Sequence, residues 1–511
     1  MNLGTLLTRH ARFRPDHTAV IFQNSRLTYS ELNRSVNRLS NAFLHNGIRK
    51  GDKIATLLPN CMELFEVYWA VAKIGAVVVP LSPLLRGGGL ASLLRDSDAV
   101  MIITNKSFVQ ILDPIRPEVP AISADRYILT DSSGTEGYRN YHEMKDLASD
   151  QNPEEIEISD HDSYNIIYSS GTTGLPKGIV HTHYVRAMYC MIFSSSYRIS
   201  PESVVLHSGS IVFNGAFLTL MPAMFVGATY ILHPQFNAEN MIETIQKERV
   251  THVDVVPAQV IALLNSPGFS IDALKSLEMF LCIGAPLLKE HKDELNRRLP
   301  GRFYELYGLT EGFVTILDKN DYAAKPTSVG CPPPFFEMRI MDENRREVSK
   351  GVVGEITGRG PILMPGYYKQ PDLTKSAIID GWLYSGDLGY VDEDGYLYLV
   401  DRKKDMIISG GINVYPKDIE EIVAQHTAVR EVAVFGIPHE KWGETPVAAV
   451  ILHQPDSVTE EDLKNWINKR VGATFQRIHK VVFMDDFPRS TAGKTLKRVM
   501  RDEMQGISRE A

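Results

Sequence analysis

The sequence is poor in cysteine and has no long apolar run. Its 511 residues include only 4 cysteines, at positions 61, 190, 282 and 331, and no two of them have the spacing of metal ligands. We therefore expect reduced thiols and a cytoplasmic location. No stretch is apolar enough to span a bilayer, and the N-terminus lacks the pattern of a signal peptide. Positive charge is not in excess, since the net charge is −8, which argues against nucleic-acid binding.

The apolar pattern predicts parallel sheets. A length of 511 residues is too great for one core, so two or more domains are expected. Two passages share the order strand, helix, Gly-Ala, strand, with predicted elements at 53–58, 62–73 and 76–80, and at 203–206, 216–225 and 229–232. Continuous apolar strands that alternate with helices are typical of sheets covered on both faces. The repeat predicts two related sheet subdomains.

Beyond about residue 330 the pattern changes to short alternating strands. Asp394-Gly395, between two runs rich in tyrosine and valine or leucine, is a strong hairpin signal. The charge run at 401–405 is typical of a linker or a solvated face, and an α+β segment follows it. We place a domain boundary here, with an N-terminal domain over 1–401 and a C-terminal domain over 402–511.

A loop rich in small residues follows a predicted buried strand at 164–168. It contains Ser169, Ser170, Gly171, Thr172, Thr173, Gly174 and Lys177. Glycines let backbone N–H groups approach an anion, hydroxyls donate hydrogen bonds and lysine adds charge, so a phosphate cradle is indicated. The loop is not a Walker A motif, because Pro176 precedes Lys177 and Gly178 follows it. A flexible surface loop is the alternative.

Three shorter segments carry weaker signals. Thr310-Glu311 offers a hydroxyl and a carboxylate that can contact a phosphate and its Mg²⁺. The same two residues would also be found at the exposed start of a helix. Asp387 lies in a predicted tight turn and can accept hydrogen bonds from ribose hydroxyls, or be an ordinary turn aspartate. Lys494 lies in a predicted turn that contains a glycine, and without the other segments we would interpret it as a surface lysine. His252 alternates with apolar residues, which favours a structural role over ligation.

Taken together and in order, these segments resemble the adenylate-forming superfamily of acyl-CoA synthetases, peptide-synthetase adenylation domains and luciferases. The similarity is to the AMP-forming acyl-CoA and aryl-CoA synthetase branch. It is carried by segments 28–32, 73–80, 169–177, 307–311, 354–356, 384–387, 401–416 and 488–494. The resemblance implies an α/β fold with a large N-terminal domain, made of two βα-wound subdomains and a small β-barrel-like region. A small, mobile α+β C-terminal lid would follow.

The resemblance also implies a role for each matching position in binding ATP. The loop from Ser169 to Lys177 would hold the β- and γ-phosphates. Tyr307 would stack on adenine, Thr310 would contact the α-phosphate and Glu311 would hold Mg²⁺. The remaining nucleotide contacts would come from Gly284, Ala285 and Pro286 at the adenine and from Asp387 and Arg402 at the ribose.

In the C-terminal domain the implied roles concern catalysis and movement. Lys494 would bridge the carboxylate and the α-phosphate during adenylation. Lys404 would be the hinge about which the lid rotates, and Gly410 and Gly411 would lie beside the pantetheine tunnel of CoA. Rotation could then exchange Lys494 and the glycine loop at one active site.

The residues assigned to the acid pocket are Phe213, Asn214, Ile283 and Gly308. Two of them depart from the family pattern. Asn214 stands where relatives usually have histidine, and Ile283 where they usually have glycine; Phe475-Gln476 replaces a common Tyr-Lys pair. Because a packed pocket responds to single methylene groups, Ile283 should shorten it. We expect a medium-chain or compact aryl acid.

The expected function is that of an AMP-forming carboxylic acid–CoA ligase of fatty acid metabolism or of aryl acids. It would use ATP and Mg²⁺ to form an acyl adenylate, then transfer the acyl group to CoA. Its partners would be a small-molecule carboxylic acid and CoA, with a homodimer left open. The alternatives are loading of a separate carrier protein, a binding protein that has lost its chemistry and, ranked last, luciferase-type oxygen chemistry.

Overall fold

The computed structural model describes residues 1–131, 134–169, 177–410, 412–440, 442–489 and 495–504. The chain divides into two compact units. The larger unit consists of Met1–Glu337 and Gly358–Leu383, and the smaller unit of Met338–Thr357 and Tyr384–Ala511. No helix in the described ranges has the length and apolar character that crossing a bilayer requires.

The first part of the chain alternates strands and helices. Its strands are β1 (Thr18–Phe22), β2 (Ser25–Thr28), β3 (Lys53–Leu57), β4 (Val77–Leu81), β5 (Ala99–Thr104), β6 (Tyr127–Leu129), β7 (Arg139–Asn140), β8 (Ser163–Ser169), β9 (Lys177–Thr182), β10 (Val204–His207), β11 (Thr229–Leu232), β12 (His252–Val255), β13 (Met279–Ile283), β14 (Phe303–Leu309) and β15 (Phe313–Leu317). Its helices are α1 (Thr5–Phe13), α2 (Tyr29–His45), α3 (Met62–Ile74), α4 (Gly87–Asp96), α5 (Val109–Leu112), α6 (Tyr141–Asp146), α7 (His183–Tyr197), α8 (Phe217–Val226), α9 (Ala238–Glu248), α10 (Pro257–Asn265) and α11 (Lys289–Arg298).

The rest of the chain has shorter helices and more antiparallel pairing. Its strands are β16 (Glu337–Met341), β17 (Gly354–Arg359), β18 (Ile378–Ile379), β19 (Trp382–Val391), β20 (Leu397–Arg402), β21 (Ile407–Ser409), β22 (Ile412–Val414), β23 (Val429–His439), β24 (Gly443–Leu452) and β25 (Lys480–Phe483). Its helices are α12 (Pro371–Ala377), α13 (Pro416–Val423), α14 (Glu460–Asn468) and α15 (Lys497–Met504).

Two sheets organise the larger unit. We call them sheet I, in the order β7-β6-β5-β3-β4-β8-β9, and sheet II, in the order β15-β14-β13-β12-β10-β11-β1-β2. The passage β3-α3-β4 lies in sheet I and the passage β10-α8-β11 lies in sheet II, and each pairs its strands in parallel. The predicted α/β class with two wound subdomains is confirmed. The carboxyl ends of parallel strands, where α/β proteins bind ligands, carry the residues of interest.

The two repeated passages form for the same local reasons. Each helix ends at a glycine in the left-handed region, Gly75 at φ +66° and Gly227 at φ +83°. A left-handed residue stops a helix because its N–H can return to a carbonyl of the last turn, and glycine adopts it without a Cβ penalty. The Gly227 N–H donates to the carbonyl of Ala223 in this way. The stop at Gly75 was predicted correctly, and Gly227 plays the same part at the matching Gly-Ala pair.

The start of α2 differs from the sequence-based expectation. Ser30 is a plausible N-cap from sequence, but Thr28 caps the helix. The Thr28 hydroxyl accepts from the Glu31 N–H at 3.2 Å, and the Glu31 carboxylate accepts from the Thr28 N–H at 2.9 Å. Because this capping box satisfies two N–H groups at once, it is favoured over a single cap from Ser30.

His252 on β12 is a structural residue, as predicted. It is fully buried, its Nε2 donates to the carbonyl of Tyr197 at 3.0 Å, and its Nδ1 lies 2.7 Å from the Thr251 hydroxyl. Burial lowers the pKa of His252 from its ordinary 6.5 to about 4. Both ring nitrogens are used within the protein, so this histidine is not placed to bind a ligand.

This burial predicts a pH dependence of stability. Between pH 6.5 and 4 the unfolded chain binds a proton at His252 that the folded chain does not, so the free energy of unfolding should fall as the pH falls. We expect His252 to account for about 3 kcal/mol of the loss. The measurement is urea unfolding of the wild type and of His252→Gln at several pH values. Parallel curves for the two proteins would contradict the prediction.

The smaller unit contains a sheet in the order β22-β21-β24-β23, with β25 paired to β24. Successive residues of β23 face opposite sides. Val434 packs in a core with Ile419 of α13, whereas Phe435 packs in another with Met500 of α15. Two apolar faces on one sheet agree with the α+β segment that the sequence predicts.

The hairpin at Asp394-Gly395 is confirmed. β19 and β20 pair antiparallel around it, and Gly395 has φ +87°. The expectation that Asp387 lies in a tight turn is wrong, because Asp387 is inside β19 and pairs with Arg402 of β20. The strand is irregular at this point, because Gly386 has φ +72° and the register shifts after Leu388. This irregularity explains why the sequence resembles that of a turn.

Candidate active site

Several sequence-predicted site residues lie outside the described residues. These are Ser170, Gly171, Thr172, Thr173 and Gly174 of the loop, together with Gly411 and Lys494. The two ends of the loop are described: Ser169 ends β8, Lys177 begins β9, and the two residues pair across an antiparallel ladder. The loop is therefore carried on a hairpin at the edge of sheet I.

Lys177 and Glu311 converge on Tyr367. The Lys177 Nζ lies 5.1 Å from the centroid of the Tyr367 ring, and the Tyr367 hydroxyl donates to Glu311 Oε1 at 2.9 Å. Burial, reinforced by the Glu311 carboxylate, raises the pKa of Tyr367, so the phenol stays protonated and continues to donate. One tyrosine thus brings the cation that ends the loop close to a carboxylate from another sheet.

The segment around Tyr367 is held by both sheets. Tyr367 forms an antiparallel bridge with Ile179 of β9, and the Tyr368 N–H donates to the Gly178 carbonyl at 2.7 Å. Three residues before Tyr367, the Met364 N–H donates to the backbone carbonyl of Glu311 at 2.8 Å. These backbone bonds fix Tyr367 independently of its side chain.

Thr310 and Glu311 lie in the turn between β14 and β15, so they do not start a helix. Gly312 completes the turn at φ +112°, and a Cβ there would lie 2.0 Å from the carbonyl oxygen of Ile362. Only glycine fits a backbone contact this close. The turn therefore presses against the segment that carries Tyr367, which sets the position of the Glu311 carboxylate.

A buried series of hydrogen bonds holds the backbone of Thr310. His181 Nε2 donates to the Thr310 carbonyl at 2.9 Å, and His181 Nδ1 accepts from Arg186 at 3.2 Å. Arg186 also donates to Asn165 Oδ1 at 3.1 Å and lies over the Phe217 ring at 4.1 Å. Burial, with the nearby Arg186 charge, lowers the pKa of His181 well below 6.5. A neutral His181 with this tautomer holds the Thr310 backbone in place.

The residues assigned to adenine lie on neighbouring strands. Ile283 at the end of β13 pairs with Leu306 of β14, so Gly284 leaves the sheet beside Tyr307. Gly284 has φ +90°, and Gly284, Ala285 and Pro286 are all exposed. Tyr307 is half-buried. The exposed 284–286 segment therefore begins beside Tyr307 of the neighbouring strand.

Of the residues assigned to the acid pocket, the stretch 213–214 lies close to Ile283. A Cβ on Gly215, which directly follows Phe213 and Asn214, would lie 2.7 Å from Ile283 Cδ1. Asn214 donates from Nδ2 to the Tyr189 hydroxyl at 3.0 Å. Gly308 is required by packing, since a Cβ there would lie 2.6 Å from Val314 Cγ1. Ile283 thus occupies the space that a side chain at position 215 would take.

In the smaller unit, Asp387 and Arg402 form an ion pair with 3.4 Å between Oδ1 and Nε. Glu355 supports the same stretch, because it accepts from the Gly386 N–H at 3.1 Å and from Lys403 Nζ at 2.9 Å. Lys404 follows and is exposed. The two residues assigned to ribose are therefore adjacent on β19 and β20.

Gly410 lies further along the smaller unit. It has φ +61°, its N–H donates to the Trp442 carbonyl at 2.7 Å, and a Cβ would lie 3.0 Å from the Trp442 ring. Both the conformation and the close ring favour glycine at this position.

The donors available for a metal are few. Within the described ranges, no group of three His, Cys, Asp or Glu side chains could hold a metal ion. Glu311 nonetheless fits Mg²⁺, because this ion is commonly bound through one or two carboxylates plus substrate phosphates and water.

In the larger unit, Tyr367 and His181 escape sequence reasoning. Tyr367 lies 56 residues from Glu311 along the chain, and His181 lies 129 residues from Thr310. In the smaller unit, the sequence marks Glu355 only as part of the matching segment 354–356. None of these residues stands out by its neighbours in sequence, and only the pairing of β9 with 366–368 reveals the role of Tyr367.

Comparison with known proteins decides the family. Residues 7–368 match the family model described as AMP-binding enzyme, and residues 418–494 match that of the AMP-binding enzyme C-terminal domain. The chain belongs to the adenylate-forming superfamily. The resemblance drawn from the ordered motifs is confirmed, and this adenylate-forming enzyme is an AMP-forming ligase of the acyl-CoA synthetase branch.

Curated relatives match over almost their full length. The enzyme is 33% identical to feruloyl-CoA synthase of Amycolatopsis sp, over 98% of each chain. It is 29% identical to fatty acid–[acyl-carrier-protein] ligase of Streptomyces coeruleorubidus, over 98% of this chain and 96% of the relative. ATP-bound MatB from Rhodopseudomonas palustris superposes with a TM-score of 0.89 at 27% identity, covering 99% of this enzyme and 100% of MatB.

Proposed function

We propose that this enzyme activates a compact aryl or medium-chain carboxylic acid with ATP and transfers it to CoA. The carboxylate attacks the α-phosphorus, so an acyl–O–P bond forms as pyrophosphate leaves. The CoA thiol then attacks the acyl carbon, which gives the thioester, AMP and a proton. Feruloyl-CoA synthase, as a relative named for an aryl acid, supports this substrate class.

The observation that carries the proposal is the convergence of Lys177 and Glu311 on Tyr367. A carboxylate meets a polyanion in the first step, so their repulsion must be cancelled at the phosphates. Lys177 supplies fixed positive charge, and Glu311 supplies an anionic ligand for Mg²⁺. Preorganised groups of this kind stabilise charge that develops in the transition state. Bound Mg²⁺ would neutralise phosphate charge.

The other assigned residues have roles that follow from the resemblance. Tyr307 and 284–286 would enclose adenine, and Thr310 would contact the α-phosphate. Asp387 and Arg402 would bind the ribose hydroxyls, and Lys494 would bridge the reacting groups. We keep the lid boundary at 401/402 as part of the proposal, with Lys404 as the hinge and Gly410 and Gly411 beside the pantetheine of CoA.

The size of the acid follows from Ile283. Its Cδ1 occupies the space beside Gly215, and the side chain is only 8% exposed. A branched side chain at this point limits the length of a straight acyl chain. We therefore propose acids of aryl or medium-chain size.

The test is pyrophosphate release with ATP and Mg²⁺ over short, medium, long and aromatic acids, each with and without CoA. Turnover that requires both an acid and CoA is the expected result, with the highest kcat/KM for compact aryl or medium-chain acids. A steady rise through the longest chains would contradict the size limit. No acid-dependent turnover, with nucleotide binding intact, would reject the ligase reaction.

A second acceptor is favoured by one relative. The Streptomyces coeruleorubidus enzyme is named for transfer to an acyl-carrier protein. The same first step would then load the phosphopantetheine thiol of a separate protein. Acid-dependent exchange of pyrophosphate into ATP, without CoA-dependent turnover, would select this candidate.

A further inference from the structure

A buried polar cluster lies at the carboxyl edge of sheet II. His207 is the last residue of β10, and it pairs in parallel register with Asp254 of β12. His207 Nδ1 lies 2.9 Å from both carboxylate oxygens of Asp254. The Thr219 hydroxyl of α8 donates to Asp254 Oδ1, also at 2.9 Å. We call His207, Asp254 and Thr219 the Asp254 cluster.

Every member of the Asp254 cluster is removed from solvent. His207 is 4% exposed, Asp254 2% and Thr219 0%. Burying a carboxylate is costly unless its oxygens are hydrogen-bonded, and His207 and Thr219 supply those bonds. A carboxylate oxygen only accepts, so His207 Nδ1 must donate. In the neutral ring, Nε2 is then an acceptor.

Three buried polar atoms around Asp254 have no hydrogen-bond partner in the described part of the chain. They are His207 Nε2 and the hydroxyls of Tyr197 and Tyr230. Burial raises the pKa of each of these tyrosines, and the negative charge of Asp254 contributes to both shifts. Because an unsatisfied buried polar group is destabilising, such groups around one carboxylate indicate a missing partner. His207 Nε2 faces Gly209, where a Cβ would lie 3.1 Å away.

The Asp254 cluster lies on the acid-pocket side of sheet II. Asp254 pairs with Leu281 of β13, and Ile283 is two residues further, so Asp254 and Ile283 face the same side. Helix α8 covers that side. Gly215, just before α8, approaches Ile283, and Thr219, four residues later, contacts Asp254. Four residues of helix advance about 6 Å. The cluster is therefore about one helical turn deeper than Ile283.

We propose that the Asp254 cluster and Tyr197 form a polar floor of the acid pocket and bind a hydroxyl at the far end of the acid. This inference rests on the proposed function, in which Asn214 and Ile283 belong to the acid pocket. A hydroxyl can donate to His207 Nε2 and accept from Tyr197, which satisfies two of the three unpartnered atoms. The substrate is thus a hydroxylated compact acid, with a phenolic ring as the aryl case.

The experiment measures binding, so that it does not depend on transfer to a thiol. The ligands are N-acylsulfamoyl adenosines in matched pairs, with and without a hydroxyl on a phenyl ring or at the end of a medium chain. Titration calorimetry gives the Kd of each. For the pair whose hydroxyl reaches the floor, the wild type should bind the hydroxylated ligand roughly 10–100-fold more tightly.

Two variants test the assigned atoms. Tyr197→Phe removes only the unpartnered hydroxyl, and His207→Gln keeps a donor for Asp254 but shortens the side chain. Each should reduce the preference to about threefold or less, chiefly by weakening the hydroxylated ligand. Thr104→Val is the control, because it also deletes one buried hydroxyl bond, to the Leu57 carbonyl at 2.9 Å in sheet I. It should keep the full preference.

The outcomes separate the two levels of inference. Equal affinity within every pair, or a preference retained in both variants, overturns the polar floor and leaves a buried water as the partner of these atoms. Failure of every analogue to bind, with ATP binding retained, overturns acid activation itself and with it the floor. A preference lost in both variants and kept in Thr104→Val supports the proposal.

Discussion

Glu311→Gln should lower kcat/KM for acid-dependent pyrophosphate release by roughly 10²–10³-fold. Glutamine has the same size as glutamate and can still accept from the Tyr367 hydroxyl, now 2.9 Å from Oε1. Its neutral amide is a far weaker ligand for Mg²⁺, so the variant should need a much higher Mg²⁺ concentration for half-maximal rate. Steady-state rates over a Mg²⁺ series measure both effects.

Tyr367→Phe is the companion variant for Glu311→Gln. It removes the hydrogen bond but leaves the carboxylate charge, so we expect a loss of roughly tenfold with a small change in Mg²⁺ requirement. Thermal unfolding should change little in Glu311→Gln, because the backbone of the turn is held by Met364 and Gly312. A Glu311→Gln enzyme with wild-type rates would remove Glu311 from the metal site.

Lys494→Ala should separate the two half-reactions. The family role of Lys494 is to bridge the carboxylate and the α-phosphate, so adenylate formation should fall roughly 10²–10³-fold. Thiolysis of a supplied acyl adenylate needs no such bridge and should stay within a few-fold of wild type. Exchange of pyrophosphate into ATP measures the first step, and CoA-dependent release of AMP from the adenylate measures the second.

The control for Lys494→Ala is Lys480→Ala. Lys480 is an exposed lysine at the start of β25, so this variant also removes one positive charge from the smaller unit. Both half-reactions should remain close to wild type. Equal losses in the two half-reactions of Lys494→Ala would show that the lysine acts on folding or on nucleotide binding in general.

Local signals predicted most of the fold. The strand at 229–232 has the bounds that its apolar run indicates, and Gly75 ends a helix as expected. These features depend on neighbours within a few residues. The N-cap of α2 was missed by two positions because the reciprocal bonds of Thr28 and Glu31 outweigh the preference of Ser30 for a cap.

The candidate site was predicted in part, because motifs name residues but not their partners. Glu311 was identified from its place in a motif, whereas Tyr367 was found only when strand pairing brought it to Glu311. Asp387 was predicted to lie in a tight turn, yet pairing with Arg402 across the sheet keeps it extended. Sequence-distant contacts decide both cases, and short-range propensity does not encode them.

The contact of Gly215 with Ile283 has a consequence for directed evolution. A Cβ at position 215 would lie 2.7 Å from Ile283 Cδ1, so any larger residue at one position requires a smaller one at the other. Mutational effects at the two positions should therefore be epistatic. Saturating one position at a time would discard combinations such as Gly215→Ala with Ile283→Val. A library that randomises both positions together is the shorter route to an altered acid preference.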